Sequence, residues 1–176
     1  MRGIKRLENI DNFELGKTDI EIPLTTSEDS RSVALALAQQ AQRSIRIFTR
    51  DLETFVYNTQ DFIEAVTKLA TLSQFTLIHI LIQDSTNVVK NGHRLVELAY
   101  RLSSKIKLRN PSREYRIFNN AFLVVDEDGF IHRNLADRYE GIANFHNPHE
   151  ARNLTKFFDD AWEKSNPDPE LRRLHI

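Results

Sequence analysis

The stretch that decides the fold is "YRIFNNAFLVVDEDGFIHR", Tyr115 to Arg133. An apolar, β-rich run from Ala121 to Val125 ends in a carboxylate, Asp126, two residues before an Asp128-Gly129 pair, and a second β-rich arm follows. Two such arms around a turn signal predict a β-hairpin, and a hairpin forces antiparallel neighbours into whatever sheet contains it. Asp126 then has two readings: a candidate catalytic acid, or a carboxylate that anchors the hairpin.

Working outward, strands alternate with helices. Upstream, "DIEIPL" reads as a short strand, and "TTSEDSRSVALALAQQAQ" as a helix with Ser/Asp cap candidates and Ala34, Leu37, Ala38 and Ala41 on one face. "RSIRIFTRDL" reads as a strand and "QDFIEAVTKLATL" as a helix. "FTLIHILIQD" is nearly all apolar and β-branched, which predicts a strand covered on both faces in the middle of the sheet. Behind Asn91-Gly92, "HRLVELAYRLSS" keeps helical spacing, and "KIKLR" is a short strand that "NPSRE" terminates. After the hairpin comes a further strand at "EGIANFHN". The last helix has Asn147 as N-cap, Pro148 at its first position and Glu150 at its third. The order predicts an α/β sandwich with a mixed β-sheet flanked by helices. A division into an N-terminal extension with a short strand (1–29), one domain (30–165) and a C-terminal tail (166–176) follows.

Composition narrows the function. The chain has 176 residues, enough for one sizeable core, and its 24 basic residues nearly balance 25 acidic ones, so no global field would hold DNA or an anionic membrane. It has no cysteine, which rules out thiolate nucleophiles and cysteine zinc sites and suits a reducing cytoplasm. No run of 18 apolar residues and no apolar leader occur, so a soluble, cytoplasmic protein is expected. Neither GxGxxG, GxxxxGK[ST] nor GxSxG is present, so the usual phosphate loops and the serine elbow have no support, and no cofactor is expected.

Four polar clusters remain. "HNPHE" spaces His146 and His149 like metal ligands, but helix capping already explains it, and no metal site is expected. Arg50 and Asp51, Gln83 and Asp84, and His93 and Arg94 sit at predicted carboxyl ends of strands, where open α/β sheets bind ligands. Asp137, Arg138, Tyr139 and Glu140 form either a salt-bridged turn or a polar wall. Lys105, Lys107 and Arg109 alternate along one strand, with Arg113 and Arg116 beyond. They are either a phosphate-binding stripe or edge-strand protection, and nucleic acid is the less favoured reading.

With these elements placed, the C-terminal half resembles the phospholipase D-like superfamily, whose motif is His-x-Lys, four residues and Asp, followed by a Gly-Ser-x-Asn segment and a helix. "NNAFLVVD" has that frame with Asp126 kept, Asn119 at the histidine position and Ala121 at the lysine position. "GIAN" matches the second segment at Gly141 and Asn144, with Ile142 in place of serine. "FTRDLE", "GHRLVELAYRL" and "ADRYEG" look like a bacterial domain of unknown function assigned to that superfamily and found near acetyltransferase-like domains.

The resemblance implies a phospholipase D-like fold over about residues 30–165, an acetyltransferase-like partner, and pairing as a homodimer. In the superfamily the histidine attacks phosphorus while lysine and asparagine hold the phosphoryl oxygens. Asn119 has no usable lone pair on its amide nitrogen and Ala121 no charge, so the expectation is a non-catalytic module. Its residual polar cleft, drawn from Arg50, Asp51, His93, Arg94, Asn119, Asp126, Arg138, Tyr139, Glu140 and Asn144, would bind an anionic ligand, nucleic acid or a protein partner. The alternative is a divergent phosphodiesterase or nuclease using His93, or a bound metal.

Overall fold

The computed structural model describes residues 7–173, so the first six residues of the N-terminal extension and the last three of the predicted tail lie outside it. After a short 3₁₀ turn at Ile10–Asn12, strand β1 (Ile22–Leu24) leads into α1 (Ser27–Gln40). Thr26 caps α1: its side chain accepts from the Asp29 N–H while the Asp29 carboxylate accepts from the Thr26 N–H, so two otherwise orphaned donors are satisfied. Then come β2 (Ser44–Thr49), α2 (Thr54–Tyr57), α3 (Gln60–Leu72), β3 (Leu77–Ile82), α4 (Thr86–Asn91), α5 (Arg94–Arg101) and β4 (Ile106–Arg109). The rest is α6 (Arg113–Arg116), β5 (Ala121–Val125), β6 (Gly129–Arg133), β7 (Gly141–Asn144), α7 (Pro148–Glu163) and α8 (Pro169–Arg173).

The seven strands form one mixed sheet in the order β1-β7-β6-β5-β2-β3-β4. β2, β3 and β4 pair in parallel and the other pairings are antiparallel, as the hairpin requires. The central position belongs to β5, whose five residues are all buried. "FTLIHILIQD", expected in the middle, is β3 and lies next to the edge strand β4. It is apolar because it is interior to the sheet and covered on both faces, a condition that does not require the middle place.

Side chains alternate between two apolar layers. Ile45 and Ile47 of β2, Ile78 and Ile80 of β3, and Leu123 and Val125 of β5 join the apolar residues of α1, α3 and α5 in the larger layer. On the other face Phe48, Leu81, Phe122, Val124 and Phe130 pack against Ala151, Leu154, Phe158 and Ala161 of α7. Helix α7 begins where its punctuation predicts, with the Asn147 side chain accepting from the Glu150 N–H at 3.2 Å and Pro148 in the first turn.

Three short helices, α2, α4 and α6, were not legible as periodic segments. The predicted tail includes α8, whose Leu171 is buried, and Asn166 exchanges backbone hydrogen bonds with Asn110 at the end of β4. The hairpin turn differs from the Asp128-Gly129 expectation. Asp126 and Glu127 have φ of 55° and 58°, and the Asp128 N–H closes the turn on the Val125 carbonyl. The chain therefore turns at Asp126-Glu127, while Gly129 opens β6. A Cβ on Gly129 would sit 2.7 Å from Leu15 and 2.8 Å from Leu37, so the glycine serves a close approach of elements and not the turn itself.

Candidate functional site

At the carboxyl end of β2 the chain leaves the sheet at Arg50, and on the neighbouring β5 the approaching segment is Phe118-Asn119. That segment is held by backbone carbonyls: the Gln83 side chain donates to the Phe118 carbonyl at 2.8 Å, and the Ala136 N–H donates to the Asn119 carbonyl at 2.6 Å. The second bond folds the loop after β6 back over the end of β5. A cleft of about 220 Å³ results, lined by Arg50, Asn119, Leu135, Ala136, Asp137 and Arg138. Arg50, Asn119 and Arg138, drawn from three separated segments, thus line one cleft. Among the described residues neither guanidinium of the cleft is in an ion pair.

Behind the cleft lies a buried network that sequence reasoning missed. Arg133 is the cross-strand partner of Ala121, so its side chain leaves the sheet on the same face as Ala121. Arg133 is buried and forms an ion pair with Glu53, whose side chain is only 12% exposed. Its Nη1 also donates to the Arg138 carbonyl at 2.9 Å, and the guanidinium lies 5.2 Å from the centre of the Tyr139 ring. Burial raises the Glu53 pKa above the ordinary carboxylate value, and Arg133 opposes that rise. The buried Tyr57 hydroxyl is raised in the same way, first by desolvation and then by the Glu53 charge. A cation is present near position 121, but it comes from the opposite strand and is already neutralised. The hairpin register alone could have signalled Arg133; nothing local pointed to Glu53, 80 residues away.

The remaining candidates occupy other places. His93 is buried and caps α5, with Nδ1 accepting from the Leu95 N–H at 3.1 Å. Burial lowers its pKa to about 4, opposed by hydrogen bonding to the Leu52 backbone. It does not line the cleft. Arg94 is exposed, and its N–H donates to the Asn58 side chain. Asp51 is half-buried next to the Glu53 network, Tyr139 stacks beneath Arg133, and Glu140 is exposed.

Asp126 and Asn144 lie at the opposite end of the sheet from Asn119. The Asp126 carboxylate accepts from the N–H groups of Gln42, Arg43 and Ser44 at 2.9, 2.8 and 2.9 Å, which fixes the chain just before β2. Asn144 pairs with Phe130, which in turn pairs with Val124, and its amide donates to Asp19 at 2.8 Å. The segment facing Asn119 is instead the one after Arg133. Near the Asp126 end His146 Nδ1 lies 3.6 Å from Asp128, and among the described residues no group of three His, Asp or Glu side chains is placed to hold a metal.

The basic stripe is largely engaged. Lys105 Nζ donates to the Ser73 carbonyl at 2.7 Å, and Arg109 lies 4.7 Å from the Trp162 ring centre. Arg116 donates to the Pro111 carbonyl and to Asn110, while Lys107 and Arg113 are exposed.

The mixed sheet, the order of its strands and the helix that closes one face define a phospholipase D-like fold, shared with phospholipase D-family structures at low identity. Nuc from Salmonella typhimurium superposes with a TM-score of 0.53 at 17% identity, over 77% of this chain and 88% of that one. NucT from Helicobacter pylori gives 0.59 at 10% identity, over 85% and 98%. The archaeal chromatin protein TrmBL2, described with a novel mode of DNA binding, gives 0.61 at 18% identity over 83% of this chain; the match spans 52% of TrmBL2, about half its length. Within that class the chain belongs to the family described as a domain of unknown function, DUF7931, which matches residues 26–174. No curated protein sequence matches the chain.

Proposed function

We propose that the protein is a phospholipase D-like module without phosphodiesterase activity, and that it binds an anionic ligand in the cleft of Arg50, Asn119 and Arg138. The observation that carries this reading is that Arg50 and Arg138, neither of them in an ion pair among the described residues, line one cleft with Asn119. Guanidiniums recognise phosphate and carboxylate through paired N–H donors, and an amide adds a donor without supplying a nucleophile. Leu135, 44% exposed, gives the cleft an apolar surface to meet the rest of a ligand. Support for the absence of turnover comes from chemistry and placement: Asn119 cannot attack phosphorus, and His93 is committed to its helix cap.

The test is incubation with a chromogenic phosphodiester and with single- and double-stranded DNA, each with and without divalent metal. No turnover above the uncatalysed rate is expected on any of them. Turnover that His93→Ala abolishes would establish the divergent phosphodiesterase instead.

A further inference from the structure

We infer that Arg133 is the positioning residue of the cleft and that Glu53 sets how strongly the cleft attracts anions; this rests on the proposed anion-binding role. The loop from Asn134 to Glu140 supplies four of the six cleft-lining residues, among them Arg138. The Arg133 side chain reaches forward to the Arg138 carbonyl and lies over the Tyr139 ring, so one buried guanidinium holds the Arg138 main chain and the side chain of the next residue. Arg133 is itself immobilised by the buried ion pair with Glu53 and by its place at the end of β6. The aim of the Arg138 guanidinium is therefore set from behind, through the main chain.

Charge adds a second consequence with the opposite sign. Ala121 contributes no cation, and its cross-strand partner Arg133 brings one to the same face, but the Glu53 carboxylate cancels it. With Arg133 neutralised, the anion's attraction comes from Arg50 and Arg138, set against Asp137 in the cleft lining and Asp84, whose carboxylate already feels the Arg50 charge. Removing the Glu53 charge while keeping its shape would expose the Arg133 charge to the cleft through a low-dielectric layer, where a unit charge acts over several ångströms. Removing Arg133 would lose both the charge and the clamp. A purely structural pair predicts that either substitution weakens binding; the arrangement here predicts opposite signs.

The experiment uses the full chain, with pyrophosphate as the probe in isothermal titration and far-UV circular dichroism as the check on folding. Glu53→Gln is expected to tighten pyrophosphate binding about 3- to 10-fold, and Arg133→Met to weaken it at least 10-fold. A loss of affinity in both variants, or no change in either, overturns the charge-setting role of Glu53.

Limited trypsin digestion measures the clamp without any ligand, because cleavage after Arg138 attacks the very carbonyl that Arg133 holds. In Arg133→Met and Arg133→Lys that cleavage is expected to accelerate at least 5-fold relative to cleavage after Lys17. Equal relative rates in the variants and the wild type would overturn the clamp. Absence of pyrophosphate binding by the wild type would count against the proposed function and against Glu53 as its regulator, while the digestion would still decide the clamp.

Discussion

Replacing Asp126 separates an anchoring carboxylate from a catalytic one. The side chain is 6% exposed and accepts three backbone hydrogen bonds, two on Oδ1 from Arg43 and Ser44 and one on Oδ2 from Gln42. A hydrogen bond to a charged group contributes about 1.5–3 kcal/mol net. The three share one carboxylate, and Gln42 and Arg43 lie in an exposed stretch where water can replace part of the loss, so they do not add in full. Asp126→Ala should therefore cost about 3–4 kcal/mol, a large share of the roughly 5–15 kcal/mol that holds a domain folded.

Asp126→Asn keeps an acceptor oxygen for two of the three donors and tolerates the left-handed φ of 55°, so it should cost only about 1–2 kcal/mol. The assay is urea unfolding followed by the fluorescence of Trp162, the one tryptophan in the chain. With an m-value of about 2 kcal/mol/M, the midpoint should fall by roughly 1.5–2 M for alanine and by roughly 0.5–1 M for asparagine. Anion affinity of the folded variants should stay within twofold of wild type. Unchanged midpoints together with lost anion binding would refute the reasoning and return Asp126 to the site.

Acid should weaken the fold chiefly through His79 and His93, with a further share from His132, whose pKa burial also lowers against the opposing Glu150 charge. His79, stacked on Trp162 at 3.9 Å, is held to a pKa of about 4 by burial and then by Arg46, Lys107 and Arg109, and His93 is held to about 4 by burial. Both folded values lie below the unfolded value of about 6.5, so between those limits the unfolded chain binds more protons. The stabilisation is thus complete above pH 6.5 and is lost as pH falls through 4. Allowing for partial exposure, each should contribute about 1–2 kcal/mol, seen as a lower urea midpoint at pH 5 than at pH 7.5. His79→Phe should reduce that difference by about a third to a half, and an unaltered difference would contradict the assignment. Introducing a histidine and a lysine with Asn119→His and Ala121→Lys should yield no hydrolysis of a chromogenic phosphodiester, because the Arg133–Glu53 pair already occupies the face beside position 121. Measurable turnover would show that the site had lost only its two side chains.

Much of the fold was legible because local signals agreed with tertiary demands. The periodicity of "QDFIEAVTKLATL" gave helix α3 as Gln60–Leu72, and Asn147-Pro148 located the start of α7. The place of β3 in the sheet was not legible, since apolar content reports coverage of a strand and not its rank. Gly129 misled the reading of the turn: a glycine needed for close packing on Leu15 and Leu37 looks, in sequence, like a turn glycine.

The site was half legible. Arg50, Asn119 and Arg138 follow from strand ends and the loop after the hairpin, and they meet. Asn144 was matched by a local pattern, but the register sends it to the Asp126 end, and His93 is spent on its helix. Glu53 and Arg133 could not be paired from the sequence, because their meeting depends on the tertiary fold bringing the residue just before α2 to the end of β6, 80 positions along the chain.

The central claim is that paired guanidiniums in this cleft hold an anion. Isothermal titration of pyrophosphate into the wild type and into Arg50→Ala and Arg138→Ala tests it most directly. The account predicts saturable binding at one site, weakened at least tenfold by either substitution while the fold stays intact. Binding of the same strength in all three proteins, or none in the wild type, would contradict it.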